Sequence, residues 1–103
     1  MSSRFDDLSG PQVHERITTT STIVLPIGAV EQHGPHLPMS VDHVIAEEVA
    51  SAVVTAIGEE LDLWLLPTLS ISKSNEHAWA AGTIWLSADT LMGVLLDIGR
   101  AVA

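Results

Sequence analysis

Between Ile23 and Val30 the chain carries an apolar run rich in β-branched residues, and the run ends abruptly at Glu31-Gln32-His33-Gly34-Pro35-His36. A run of that length bounded by turn formers predicts a strand over Thr22 to Val30, apolar on both faces as in a buried parallel sheet. Pro26 lies inside it and has no N–H for a ladder, so a bend is expected there. From Asp42 the pattern turns helical. Asp42 as N-cap opens a helix through about Ile57, with Ile45, Val49, Ala52, Val53 and Ala56 on one stripe and Gly58 just past its end. Glu59, Glu60 and Asp62 then form a turn, and Leu63 to Pro67 reads as a second buried strand. Strand, helix, strand is a βαβ unit, which requires parallel pairing.

The flanks are simpler. Met1 to Leu8 is polar and expected to be loose. Ser9-Gly10-Pro11 introduces a short helical pattern, Val13 to Ile17, expected to pack on the sheet edge. Thr18 to Ser21 is a polar connector, Ser70 to His77 a polar loop, and Gly82 to Leu86 a short strand. Ser87 caps a last helix running to Ala103, with Leu91, Leu95, Ile98 and Val102 on one stripe. Met92, Val94 and Leu96 lie off that stripe, which predicts burial on more than one side. There is no internal repeat and no low-complexity segment.

In parallel α/β sheets ligands collect at the carboxyl ends of the strands, and both polar loops fall there. Glu31 and His33 are two residues apart, so in extended backbone their side chains face the same way. Gly34, Pro35 and Pro38 preclude regular structure and let the chain fold back to bring Asp42 beside them. One imidazole and two carboxylates suit Zn²⁺, Mn²⁺ or Fe²⁺ better than Ca²⁺ or Mg²⁺, which prefer all-oxygen shells. By spacing alone the same residues serve equally as polar groups at a strand end and a helix cap. Ser72, Ser74, Asn75, Glu76 and His77 add hydroxyl, amide, carboxylate and imidazole groups, or form a polar connector whose Glu76 caps a backbone donor. Trp79 and Trp85 flank that segment as pocket walls or as core. His14, Glu47 and Glu48 read as solvated surface, and His43 receives no role.

The string G-A-V-E-Q-H-G-P-H-L-P-x-x-x-D from Gly28 to Asp42 resembles the signature of the creatininase (creatinine amidohydrolase) family. Ser74-Asn75-Glu76-His77, with Gly82-Thr83-Ile84 after it, is similar to that family's S-x-E-H segment and its G-T-hydrophobic strand. The resemblance runs over most of Ile23 to Leu96. It implies a three-layer α/β/α domain with a mostly parallel sheet, and a metal-dependent amidohydrolase that opens a cyclic amide or related C–N bond with a water activated by two ions. Glu31 would bind one ion and His33 the other, with Asp42 bridging them. The ions implied are Zn or Mn, with Fe possible. Ser74, Glu76 and His77 would stand on the catalytic side. Relatives of this type also act on formamides and peptides, and a non-catalytic subunit keeping the fold is a further alternative. The family often has Gly where this chain has Ser72, and Phe-Pro where it has Ala80-Ala81, departures that bear on the substrate.

At 103 residues and 47% hydrophobic, with mean hydropathy +0.34, the chain has material for a small core. The resembled family needs roughly twice this length, on a scale where domains run about 100 to 200 residues. The last helix also meets no Gly, Asn or Pro stop signal after Val102. The expectation is therefore that residues 1–103 are the N-terminal part of one domain. The remaining ligands would come from a C-terminal half, in the same polypeptide or on a complementary chain, and the whole would assemble as a homo-oligomer. Thirteen acidic against four basic residues, a net charge of −9, argue against nucleic acid or anionic membrane as partner. The absence of cysteine excludes disulfides and thiolate ligands and accords with a cytoplasmic setting. Neither a signal peptide nor a span of ~18 uncharged apolar residues is legible.

Overall fold

The computed structural model describes residues 3–103. The polar start is ordered, contrary to expectation. Leu65 donates its N–H to the Ser3 carbonyl at 2.8 Å, Arg4 forms a parallel bridge with Leu65, and Phe5–Asp7 make one 3-10 turn. A strand edge needs backbone partners whatever the side chains are, so hydropathy does not reveal this pairing. Met1 and Ser2, part of the same expectation, lie outside the described residues. Helix α1, Gly10–Arg16, starts three residues before the expected Val13 because Ser9 and Gln12 close a capping box around Pro11. Ser9 N–H donates to Gln12 Oε1 at 2.9 Å, and Gln12 N–H donates back to Ser9 Oγ at 3.3 Å.

Strand β1, Thr22–Val24, and strand β2, Leu63–Leu65, pair in parallel around helix α2, Val41–Leu61. The βαβ unit is thus present, but β1 is much shorter than Thr22 to Val30. Thr22 pairs with Leu63 and Val24 with Leu65, whereas Ile27 pairs with Leu69, so the second segment carries one extra residue between the two pairings. Pro26 and Pro67 fall in that interval. Without N–H groups they cannot hold a regular ladder, and the chains re-engage only where Leu69 N–H reaches the Pro26 carbonyl and Gly28 N–H reaches the Leu69 carbonyl, each at 2.9 Å.

Helix α2 corrects several expectations. It begins at Val41 with Ser40 in the N-cap position, placing Asp42 inside the first turn. It runs four residues beyond Ile57, so Glu59 and Glu60 are helical and Gly58 is interior. The stop is Asp62, left-handed at φ 54° and ψ 53°. Its side chain secures that geometry by accepting from Ser21 Oγ at 2.7 Å and from Trp64 Nε1 at 2.8 Å. The expected stripe is also not the buried one: Val54 and Gly58 are buried, while Ile45, Val49 and Val53 are exposed. Apolar residues surround this helix, so periodicity does not select a face; Gly58, packed beneath Val54 and the Leu63 carbonyl, allows close approach to the sheet.

The Gly82 to Leu86 strand reduces to one antiparallel bridge, Val30 with Ile84. Helix α3, Ala88–Val102, begins where expected, with Ser87 Oγ accepting from Thr90 N–H at 3.2 Å. Leu91, Leu95, Ile98 and Val102 are half-buried, whereas Met92 and Leu96 are exposed. Ile98 and Val102 face Leu25, Leu66 and Leu69 across an apolar cleft. Among the described residues no helix is long and apolar enough to cross a membrane.

Candidate metal centre

Where the strands end, Gly28 sets the geometry. A Cβ built on it would lie 2.3 Å from His43 Cα and 2.6 Å from His43 N, so only glycine lets the first turn of α2 rest against the chain leaving β1. Three residues on, Glu31 donates its N–H to the Met39 carbonyl at 3.2 Å, closing the loop over Gly34, Pro35 and Pro38. Asp42, adjacent to His43, is thereby delivered to the same place. His33 Nε2 lies 3.1 Å from Asp42 Oδ1, and His33 Nδ1 lies 3.2 Å from the Glu31 carbonyl. Because the N-cap position of α2 is Ser40, two residues earlier than expected, the Asp42 carboxylate is turned to the imidazole instead of to its own helix terminus. Donor atoms of Glu31, His33 and Asp42 all lie within 4.8 Å of one another.

The second loop joins the cluster through Glu31. Asn75–His77 form a 3-10 turn that brings Glu31, Glu76 and His77 into a second group of donors within 4.8 Å. His77 Nε2 is 3.8 Å from Glu31 Oε2, and His77 Nδ1 is buried without a hydrogen-bond partner. Glu76 is exposed and paired with Lys73 Nζ at 2.8 Å. Ser74 is fully buried, 0% exposed, and donates to the Ile84 carbonyl at 3.4 Å. Trp79 at 77% and Trp85 at 45% exposure are not core in this structure. Glu47 is half-buried and 3.9 Å from Arg4, while His14 and Glu48 are exposed.

The electrostatics follow from this crowding. The Glu31 carboxyl is held above its ordinary value, first by a hydrogen bond shared with Asp42, then by burial and the Asp42 charge, with His77 and His33 pulling the other way. His33 is raised too, chiefly because its ring N–H is accepted by the Glu31 carbonyl, with the Asp42 and Glu31 charges adding and burial opposing. Glu76 is lowered, chiefly by the hydrogen bond from Lys73. Two carboxyl groups crowded beside an imidazole form a site whose charge a cation would balance.

Two contacts escaped sequence reasoning. The contact of Gly28 with His43 spans two segments, and the first glycine of the string is its only trace. Ser72 is buried, and its hydroxyl donates to the Gly28 carbonyl, tying the two loops together. The signal available for it was the departure from glycine at that position.

The family model for creatinine amidohydrolase, Creatininase, matches residues 6–103. A mycofactocin precursor peptide peptidase of Mycobacterium ulcerans (strain Agy99) is 42% identical over 91 residues, covering 84% of this chain and 36% of that protein. A creatinine amidohydrolase of Pseudomonas putida is 35% identical over 86 residues, covering 79% of this chain and 32% of its own length. A crystal structure of creatinine amidohydrolase superposes with TM-score 0.86 at 31% identity over 98% of this chain, and a manganese creatininase does so with TM-score 0.85 at 30% identity over 99%; each is covered to 40%. The chain thus spans about a third of the length of the curated relatives it matches. With an α/β fold, both signature loops in place and a family match from residue 6 onward, the chain belongs to the creatininase (creatinine amidohydrolase) family.

Proposed function

We infer that this chain supplies the N-terminal ligand set of a divalent-metal hydrolase of amide C–N bonds. The observation that carries the reading is the convergence of Glu31, His33 and Asp42 within 4.8 Å, at the strand ends of a βαβ unit. The donors fit such an ion. One imidazole and two carboxylates match zinc or manganese, and an imidazole whose Nδ1–H is held by a backbone carbonyl presents Nε2 as its lone pair. Asp42 is the neighbour of both other donors, which supports the assignment of Glu31 to one ion, His33 to a second and Asp42 between them. Zinc and manganese forms occur among the similar creatininase structures. When bound, such a pair of ions polarises a scissile carbonyl and brings the pKa of a bound water to about 7.

The chain's own residues then have distinct tasks. The Glu31 carbonyl holds the His33 ring, and Asp42 stands 3.1 Å from the Nε2 that would meet the ion. His77, 3.8 Å from Glu31 Oε2, is the group able to accept or return a proton at Nε2. Glu76, restrained by Lys73, sets the polarity of the mouth. Ser74 is assigned the holding of its loop on Ile84 in place of contact with substrate. Three ligands for two ions are too few, since catalytic sites keep about three protein ligands per ion. The remaining ligands are therefore assigned to a C-terminal portion of the same domain. The exposed apolar side chains of α2 and α3 support such completion, followed by homo-oligomeric assembly.

For the substrate, a peptide bond is set first because a peptidase relative is 42% identical against 35% for the creatinine amidohydrolase; a cyclic amide is the second reading, favoured by the creatinine amidohydrolase relative and the structural neighbours. The test uses the chain within its completed domain, loaded with zinc or manganese and offered short peptides, creatinine and formamides. Peptide hydrolysis lost on chelation and in His33→Ala is expected. No retained metal, or activity indifferent to both perturbations, overturns the reading.

A further inference from the structure

We propose that Ser72 is a positioning residue of the metal centre, its buried hydroxyl fixing the three segments that carry the candidate ligands. The proposal rests on the metal-centre reading above and concerns how the donors are held. Ser72 is 6% exposed, and its hydroxyl donates to the Gly28 carbonyl, 44 residues away in sequence. Gly28 is the junction: its N–H is committed to the Leu69 carbonyl, and its missing side chain admits the His43 backbone. From this junction Glu31 and His33 follow by three and five residues, Asp42 precedes His43 by one, and Glu76 and His77 follow Ser72 by four and five. Every donor of both groups therefore leaves the same small contact, and one hydroxyl closes it. The Ser72 carbonyl is anchored as well, accepting from Leu86 N–H at 2.9 Å, so the hydroxyl acts from a fixed backbone.

The alternative is a serine that merely satisfies a local carbonyl. The reach of the bond weighs against it: it joins segments 44 residues apart, and leaving either buried group unpaired would carry the full desolvation cost. Outer partners that orient metal ligands typically change affinity by about 10- to 100-fold when removed.

Cobalt(II), added to the chain within its completed domain, is the probe, since its visible absorption reports both affinity and coordination geometry. Ser72→Ala is expected to weaken Co²⁺ binding by ~10-fold or more and to change the band shape. Ser72→Thr, which keeps the hydroxyl, should bind near the unsubstituted level with the same bands. Ser9→Ala removes the α1 capping box far from the site; it should lower the urea midpoint and leave the Co²⁺ spectrum alone. Unchanged affinity and bands in Ser72→Ala overturn the proposal, as does an equal loss in Ser9→Ala, or in a folded Ser72→Thr. Absence of any Co²⁺ spectrum in the unsubstituted, completed domain is a separate failure, visible before any variant is made, that removes the metal-centre reading and this proposal with it.

Discussion

Replacing Gly28 by alanine isolates the contact on which the site depends. Gly28 is not among the glycines with positive φ, so alanine suits its backbone, and at a compatible position the change would stabilise the protein by about 0.4 to 1 kcal/mol through the unfolded state. The steric prediction has the opposite sign. The new methyl would lie 2.3 Å from His43 Cα and 2.5 Å from His43 Cβ, roughly 1 Å inside ordinary contact distance. The obstacle is helix backbone and cannot swing aside like a side-chain tip. Overpacking of this kind costs about 1 to 3 kcal/mol. Relief requires α2 to withdraw by about that ångström and to carry Asp42 with it, far beyond the ~0.2 Å tolerance of metal–ligand distances. Urea unfolding with and without Co²⁺ reads both effects. The unsubstituted protein should gain about 2.7 kcal/mol at a hundredfold excess over its dissociation constant, and Gly28→Ala should start lower and lose most of that gain at the same Co²⁺ concentration. An equal or higher urea midpoint together with an undiminished response to Co²⁺ would refute the argument.

Among the histidines, His33→Ala should abolish Co²⁺ binding while His14→Ala leaves it intact, as measured by calorimetric titration; equal effects would mean the ion sits elsewhere. The 103-residue chain by itself should bind metal weakly and hydrolyse nothing, so equilibrium dialysis showing tight uptake of two ions would count against a shared ligand set. The Asp62 carboxyl is held below its ordinary 3.8, first by Ser21 and then by Trp64. Its contribution to stability is present above that ordinary value and is lost as pH falls through the lowered folded value. Asp62→Asn keeps the left-handed stop but not the charge, so the stability gap between the two proteins should be constant near neutrality and close in acid; a gap unchanged down to pH ~2 would show that the two hydrogen bonds do not favour the ionised form.

Several features were legible from sequence because they rest on local chemistry. The βαβ order follows from apolar runs bounded by turn formers, the start of α3 from Ser87, and the break in the ladder at Pro26 from the missing N–H. The grouping of Glu31, His33 and Asp42 could be anticipated from the two-residue spacing, the breakers after it and the resemblance to the creatininase signature. Other features were decided by distant partners. The N-terminal segment pairs with β2 because an edge needs hydrogen bonds, a demand that leaves no side-chain pattern. Helix α2 buries Val54 and Gly58 instead of Ile45, Val49 and Val53 because a helix apolar all round takes its orientation from the surface it meets. Gly58 does not end that helix; Asp62 does, since Ser21 and Trp64 support a left-handed residue there. Asp42 is released from capping by a helix that starts at Val41, and it reaches His33 only because Gly28 lets two backbones touch. Sequence thus determined which residue types arrive at the strand ends, through spacing and turn chemistry that act within a few residues. The tertiary structure decided their distances, because those depend on contacts between segments tens of residues apart.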